Sequence, residues 1–380
     1  MENRDISDIF GGFWKGRRVF LTGHTGFKGA WLSLWLEQLG AEVHAFALPP
    51  EPGRTLFGTA RVADAVKRST FGDIRDPAAL RPAMEAAAPE VVIHLAAQSL
   101  VRRSYRDPVA TWDTNVLGTI QVMEAARRLG SVRSMVLITT DKCYENREWP
   151  WGYREDDAFG GHDPYSSSKG AAEIAISSWR RSFFSAPGSA GVASARAGNV
   201  IGGGDWSEDR IVCDLVRAQE RGEPLVLRNP GATRPWQYVL EPLGGYLHLA
   251  RRLFEHGARD AEGWNFGPSD ESAITVGDLA RQLTRHWGRG QVVENPDPNA
   301  PHEAGWLKLD CSKARQRLGW RWLWDIDRTL EETASWYRSF AEGRPARELC
   351  LAQIERYQED AAASKLPWTC TRTPGSVRAA

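Results

Sequence analysis

One stretch near the start limits the fold more than any other: Thr22-Gly23-His24-Thr25-Gly26-Phe27-Lys28-Gly29. It follows a short apolar run, Arg18 to Thr22. It precedes Trp31, Leu32, Trp35, Leu36 and Leu39, which recur at helical spacing up to a stop at Gly40. A GxxGxxG spacing between a strand and a helix is a close relative of the dinucleotide fingerprint. The first glycine permits the tight turn, the second lets the backbone approach a pyrophosphate, and the third lets the helix pack on the strand. The helix N-terminus offers unpaired N–H groups to the anion. Gly23, Thr25, Gly26, Phe27, Lys28 and Gly29 are therefore the candidate cradle.

The chain after this turn keeps the same rhythm. Glu42 to Leu48 reads as a strand, Asp76-Pro77 opens a helix to Ala87, and Val91 to Leu95 is a β-branched buried strand. Asp107-Pro108 opens a helix to Leu129, Met135 to Thr139 is a buried strand, and Gly191 to Ala197 is another. Strand and helix in alternation predict a Rossmann-type α/β fold: a doubly wound parallel sheet covered on both faces. The polar, aromatic loop from Glu145 to Pro164 is long enough to suggest a functional role. After Asn199 the rhythm breaks. Residues 13–197 are expected to form the dinucleotide domain, with about 236–266 returning to it. Residues 198–342 are expected to form mainly a smaller substrate-binding lobe, and 343–380 a helix and a flexible tail from Ser364 on. Residues 1–13 read as a frayed lead-in.

Charge and cysteine usage narrow the partners. The chain has 380 residues, with 48 Lys plus Arg against 48 Asp plus Glu, which gives no bulk attraction to nucleic acid or an acidic membrane. No apolar run approaches a membrane span. The five cysteines, at 143, 213, 311, 350 and 370, are scattered, with no CxxC. This suits a reducing cytoplasm better than a disulfide framework. The eight histidines show no ligand spacing, so no metal is expected.

A second constellation supplies chemistry. Tyr165 and Lys169 are four apart on one helix and share a face. A neighbouring ammonium favours the phenolate and should pull the tyrosine below its reference pKa of about 10. A phenolate beside a nicotinamide takes a proton from a sugar hydroxyl while hydride leaves the same carbon. Thr140 stands at the C-terminal end of a central strand, the edge where open α/β sheets bind ligands, and can donate to the same oxygen. The second strand ends Phe46-Ala47-Leu48-Pro49 with no carboxylate for the ribose, so NAD and NADP are not told apart there. Asp73, ending the third strand beside Ile74, is a candidate for the adenine amino group.

The glycine turn, His94-Leu95-Ala96-Ala97-Gln98, Asn115, Thr140, Tyr165 and Lys169 resemble the extended short-chain dehydrogenase/reductases, the NAD-dependent epimerase/dehydratase family. The resemblance tightens over residues 13–340 toward the branch that dehydrates CDP-glucose. Its most specific piece is Thr139-Thr140-Asp141-Lys142-Cys143-Tyr144-Glu145-Asn146, supported by Phe13-Trp14, Gly198 to Trp206 and Leu309 to Ala314. The resemblance implies bound NAD, CDP-glucose as substrate, and three steps on one sugar. Tyr165 takes the C4 hydroxyl proton as hydride passes to NAD+, water leaves across C5–C6, and the hydride returns to C6, giving a 4-keto-6-deoxy sugar. Asp141 matches the acid for the C6 hydroxyl, which requires a pKa raised by burial or a nearby anion. Lys142 stands where the wider family has Glu. It is either the base for the C5 proton or a stabiliser of the enolate, with another group as base.

The resemblance also implies Leu95, Ala96 and Ala97 on the cofactor, and Gln98, Ser99, Asn115, Asn199, Arg210 and Arg234 on the substrate, with Arg234 on the diphosphate. Trp206, Trp236 and Trp306 are candidates to stack on the base, and His302-Glu303 to reach a ribose. Cys213 and Trp322 depart from the pattern where proline is common. A homodimer through helices 108–129 and 165–183 is expected by analogy, as is a soluble, cytoplasmic enzyme. Two other readings stay open: a 4-epimerase, which has no use for an acid at 141, and a non-catalytic dinucleotide sensor, which has no use for Tyr165 and Lys169.

Overall fold

The computed structural model describes residues 6–295 and 306–369. Its strands are β1 (Arg18–Thr22), β2 (Glu42–Ala47), β3 (Arg68–Phe71), β4 (Val91–His94), β5 (Ser134–Ile138), β6 (Gly191–Ala197), β7 (Asn199–Ile201), β8 (Leu225–Leu227), β9 (Thr233–Tyr238), β10 (Gly263–Phe266), β11 (Ala273–Thr275) and β12 (Val292–Glu294). Its α-helices are α1 (Phe27–Gln38), α2 (Leu56–Thr59), α3 (Pro77–Ala87), α4 (Val101–Arg106), α5 (Pro108–Trp112), α6 (Gly118–Arg127), α7 (Pro164–Phe183), α8 (Ile211–Arg221), α9 (Leu240–His256), α10 (Val276–Trp287), α11 (Ile326–Ala341) and α12 (Ala346–Ala363).

Seven parallel strands run in the order β10-β6-β5-β4-β1-β2-β3. Side-chain alternation splits them between two cores. Val19, Leu21, Val136 and Ile138 point toward the face covered by α1, α9 and α12, while Phe20, Met135 and Leu137 point toward α3, α6 and α7. The order reverses at β1, between β2 and β4, so the turn after β1 and the loop after β4 open side by side. A crevice at such a switch point is where open α/β sheets bind ligands. Strands β11-β9-β7 and β12-β8 make two small sheets beside that crevice.

Three local expectations change. The helix drawn from 108 to 129 is α5 and α6 joined by a π turn, Asp113–Leu117. The lead-in is folded from Ile6, with Phe10 fully buried against Trp14 and Trp35. The expected disorder from Ser364 does not hold through Thr369, because Trp368 is buried and stacks on Phe10 at 5.0 Å between ring centroids. Aromatic burial overrides the polar composition around these rings.

Candidate active site

The glycine turn divides its work between packing and ligand space. Gly23 has φ +83°, and a Cβ there would meet Ala96 N at 2.7 Å. A Cβ at Gly29 would meet Gly23 O at 2.1 Å. Both are therefore required by the protein itself. A Cβ at Gly26 would meet only Gly23 O, at 3.5 Å, so this glycine keeps its face open to the cavity. Helix α1 starts there with no side-chain cap. Its first amides are left for a ligand on the cavity side. Thr25 Oγ1 donates to Leu48 O at 3.1 Å, tying the turn to the end of β2.

One cavity of about 1530 Å³ collects the candidates. Gly23, Thr25, Gly26, Phe27, Lys28, Gly29, Asp73, Ile74, Leu95, Ala96 and Ala97 line its dinucleotide side. Ser99, Thr140, Asp141, Lys142, Tyr165, Asn199, Arg210, Arg234, Trp206 and Trp236 line the rest. The open glycine, the uncapped amides and this volume fit a dinucleotide such as NAD. Asp73 grips Arg75 through both carboxylate oxygens, and that bond is the main cause of its lowered pKa.

The reacting end is set by β5 and α7. Asp163 Oδ1 caps α7, accepting from Tyr165 N at 3.0 Å and Ser166 N at 2.9 Å, with Pro164 in the first turn. That places Tyr165 in the first turn, on the cavity wall. Lys169, one turn on, lies buried behind the wall, and its Nζ donates to Ile138 O at 3.3 Å. Burial pulls Lys169 down to about 8. Burial outweighs the lowering expected for Tyr165. Burial pushes its phenol up to about 12, against a hydrogen bond from Thr140 that works the other way.

Beyond β5 the chain makes a short 3₁₀ turn, Asp141–Cys143, which brings Asp141 and Lys142 to the cavity. Asp141 is 3 % exposed. Burial raises its pKa, while Lys142, Thr140 and Arg234 hold it back. Thr140 Oγ1 donates to Asp141 Oδ1 at 2.9 Å. Gly198 makes room for this carboxyl, since a Cβ there would meet Asp141 Oδ2 at 2.8 Å. A buried acid whose pKa is raised by burial thus faces a tyrosine across one cavity, a pairing suited to proton transfer in both directions. Lys142 is half-buried in the same turn.

Two substrate candidates lie off the cavity wall. Asn115 is fully buried: its amide pairs with Gln98 N and O at 2.9 and 3.0 Å and donates to Ser168 Oγ at 2.9 Å. Gln98 turns inward as well, onto Leu100 and Thr111. Together they pin the loop after β4 to α7, because a buried amide must satisfy its own donors and acceptors. Of the tryptophans, Trp206 packs on Trp336, Tyr337 and Phe340, and Trp306 is absent from the cavity wall. His302 and Glu303 lie outside the described residues. The sequence reading missed the cavity's cationic rim, Arg102, Arg103 and Arg228. Arg103 pairs with Glu51, and Arg102 and Arg228 both reach Asp209. The Arg102-Arg103 doublet after the β4 loop was the available signal. Among the described residues, no group of three or more His, Cys, Asp or Glu is arranged to hold a metal.

Comparison with known proteins agrees with this geometry. The family model described as GDP-mannose 4,6 dehydratase matches residues 20–333. A CDP-glucose 4,6-dehydratase of Salmonella typhimurium is 49% identical over 335 residues, covering 87% of this chain and 93% of that protein. A dTDP-glucose 4,6-dehydratase of Streptomyces antibioticus is 31% identical over 271 residues, covering 70% of this chain and 75% of that protein. Among solved structures, the Thermus thermophilus UDP-glucose 4-epimerase complex with NAD superposes with TM-score 0.71 at 26% identity, over 84% of this chain and 99% of that one. The Bacillus anthracis dTDP-glucose 4,6-dehydratase in complex with NAD has the same fold, with TM-score 0.72 at 18% identity over 86% of this chain and 98% of that one. By the span of the family model and the near full-length identity to a dehydratase, the chain belongs to the GDP-mannose 4,6 dehydratase family.

Proposed function

We propose that this protein is a CDP-glucose 4,6-dehydratase, a hydro-lyase that converts CDP-glucose to CDP-4-dehydro-6-deoxyglucose with tightly held NAD. The observation that carries the elimination is Asp141, a buried carboxyl on the wall of the same cavity as Tyr165, its pKa raised by burial. The choice of CDP-glucose rests on the near full-length relative that acts on it. A 4-epimerase would not need Asp141, and the acid is the feature that favours dehydration over epimerisation.

Bound NAD supplies a hydride acceptor that becomes the donor later in the same turnover. Tyr165 takes the proton of the C4 hydroxyl, with Thr140 donating to the phenolate and Lys169 supporting it from behind. Asp141 gives its proton to the departing C6 hydroxyl, and Lys142 takes the C5 proton and returns it after water has left. Arg234 and Arg210 bind the diphosphate from the substrate side of the cavity. The enzyme works in the cytoplasm, consistent with four described cysteines that are free and buried. No helix among the described residues is long and apolar enough to cross a membrane. It pairs as a homodimer through α5, α6 and α7, where Val109, Trp112, Leu117, Ile174 and Phe183 stand exposed.

Incubation with CDP-glucose and with dTDP-glucose tests the reading, followed by absorbance of the alkali-stabilised keto-sugar. Product from neither substrate overturns it. Asp141→Asn should lower turnover about 10²–10⁴-fold while reduced cofactor builds up on the protein. Unchanged turnover removes Asp141 from its role.

A further inference from the structure

Away from β5 and α7, the cavity wall is made by α8, β8 and the start of α10. Leu227, Ala232 and Val276 give this part apolar walls, and Asp214 and Arg228 give it two opposite charges. Arg210 stands at the N-cap of α8 and feels the charge of Tyr165, so it belongs to the reacting end. Asp214 comes one turn later, about 6 Å along the helix axis. The charged groups that act on it are Arg217, Arg228 and Asp209, none of them from the reacting end. Arg217 fixes Asp214 in place. Its Nη1 donates to Asp214 Oδ1 at 2.8 Å, and its Nη2 donates to Trp206 O at 2.6 Å and Ser207 O at 2.9 Å. Asp214 Oδ2 has no hydrogen bond among the described residues. Burial pushes this carboxyl up, against Arg217 and Arg228. A carboxylate held by one oxygen, half-buried in a ligand cavity and outside the reaction, is equipped to read a hydrogen-bond donor.

We infer that Asp214, with Arg228 beside it, reads the nucleobase of the substrate and selects cytosine over uracil and thymine. The inference rests on the CDP-glucose reading above and supplies a residue-level cause for its base preference. With the sugar at Tyr165 and the diphosphate at Arg210 and Arg234, the base is the part of the substrate left for this wall. Cytosine offers an amino donor at C4 next to a ring-nitrogen acceptor, which matches a carboxylate beside a guanidinium. Arg228 gives one nitrogen to Asp209, at 3.4 Å, and keeps other N–H groups for a ligand. Uracil and thymine carry a carbonyl at C4 next to an N–H, so both polarities are reversed. Against them Asp214 meets a second acceptor and Arg228 a second donor, and the groups are left unpaired away from water. Leu227 and Val276 flank a flat ring without telling one pyrimidine from another.

The test is a pair of calorimetric titrations of the NAD-loaded protein, one with CDP and one with UDP, which differ only in the base. The wild type should bind CDP about 10–100-fold more tightly. In Asp214→Asn the amide can turn its N–H2 toward a carbonyl, and the ratio Kd(UDP)/Kd(CDP) should fall about tenfold. Asp214→Ala removes the acceptor and should weaken CDP about tenfold while leaving UDP no weaker. An unchanged ratio in the asparagine variant overturns the inference. So does an equal loss of both affinities, which would make Asp214 a support for α8 alone. Wild-type protein that binds both nucleotides equally, yet forms keto-sugar from CDP-glucose, overturns the inference and leaves the proposed function standing. Wild-type protein that prefers CDP but forms no keto-sugar overturns the proposed function and leaves the ratio test intact.

Discussion

Thr140 has one hydroxyl proton and two claimants. It donates to Asp141 Oδ1, and it is within hydrogen-bonding reach of Tyr165. When Tyr165 ionises, the stronger bond is the one to the phenolate. The proton then swings away from Asp141, whose carboxyl loses a bond that favoured its ionised form, a change in the same direction as the effect of burial. Thr140→Val removes both bonds. The Tyr165 pKa should rise further, because the Thr140 bond lowers it. The limb of kcat/KM that rises with pH should therefore move up by about one unit, as a pH–rate profile would show. Glycine spacing, the Tyr165/Lys169 offset and the strand end at Thr140 were legible in the sequence because each follows from a periodicity. The inward turn of Gln98 and Asn115 was not. Spacing brings a residue near a site, but the satisfaction of its buried polar atoms decides which way the side chain faces.

At the scale of elements, α7 is fastened to the sheet by a buried pair. Glu173, one turn beyond Lys169, accepts from Thr139 on the β5 side and from Ser194 and Arg196 of β6. Arg196 continues to Tyr144 Oη and Glu155 O, with Tyr144 and Phe159 against its guanidinium. Burial alone would push the Glu173 carboxyl up, but Arg196 and the hydroxyl donors outweigh it and hold the group below the usual range. Its stabilising contribution is thus present above the ordinary carboxylate pKa and is lost as pH falls through the lowered value. Glu173→Gln leaves Arg196 buried without its counter-charge and should cost about 3–5 kcal/mol, measured by denaturant unfolding. Arg196→Met added to it should restore part of the loss. None of this network was visible in sequence, since Glu173 and Arg196 are joined only when β6 packs beside β5. The π turn at Asp113–Leu117 was equally hidden, because an inserted residue leaves the apolar pattern around it nearly unchanged.

For the whole molecule, the exposed apolar side chains on α5 and α7 are the feature a single chain leaves unresolved. Val109 is 71% exposed and Ile174 60%. Ile174→Glu should convert the proposed homodimer to monomer in sedimentation velocity, with the monomer's thermal unfolding little changed. A wild-type monomer at all concentrations would remove the dimer. The α/β class could be read from strand and helix alternation alone. The folding of the ends could not, because it depends on aromatic rings hundreds of positions apart.

Those rings carry a consequence for how the protein is made. Helix α1 begins at the cofactor turn, yet its outer face is roofed by α12 and Trp368. Arg347 grips Glu37 across 310 positions, and Trp35 meets Tyr357 and Trp368 edge-on. During synthesis the glycine turn and its strand leave the ribosome early, while the roof follows more than 300 residues later. A nascent chain therefore carries the nucleotide cradle with tryptophans still bare, an invitation to chaperones until the C-terminal helix closes over them.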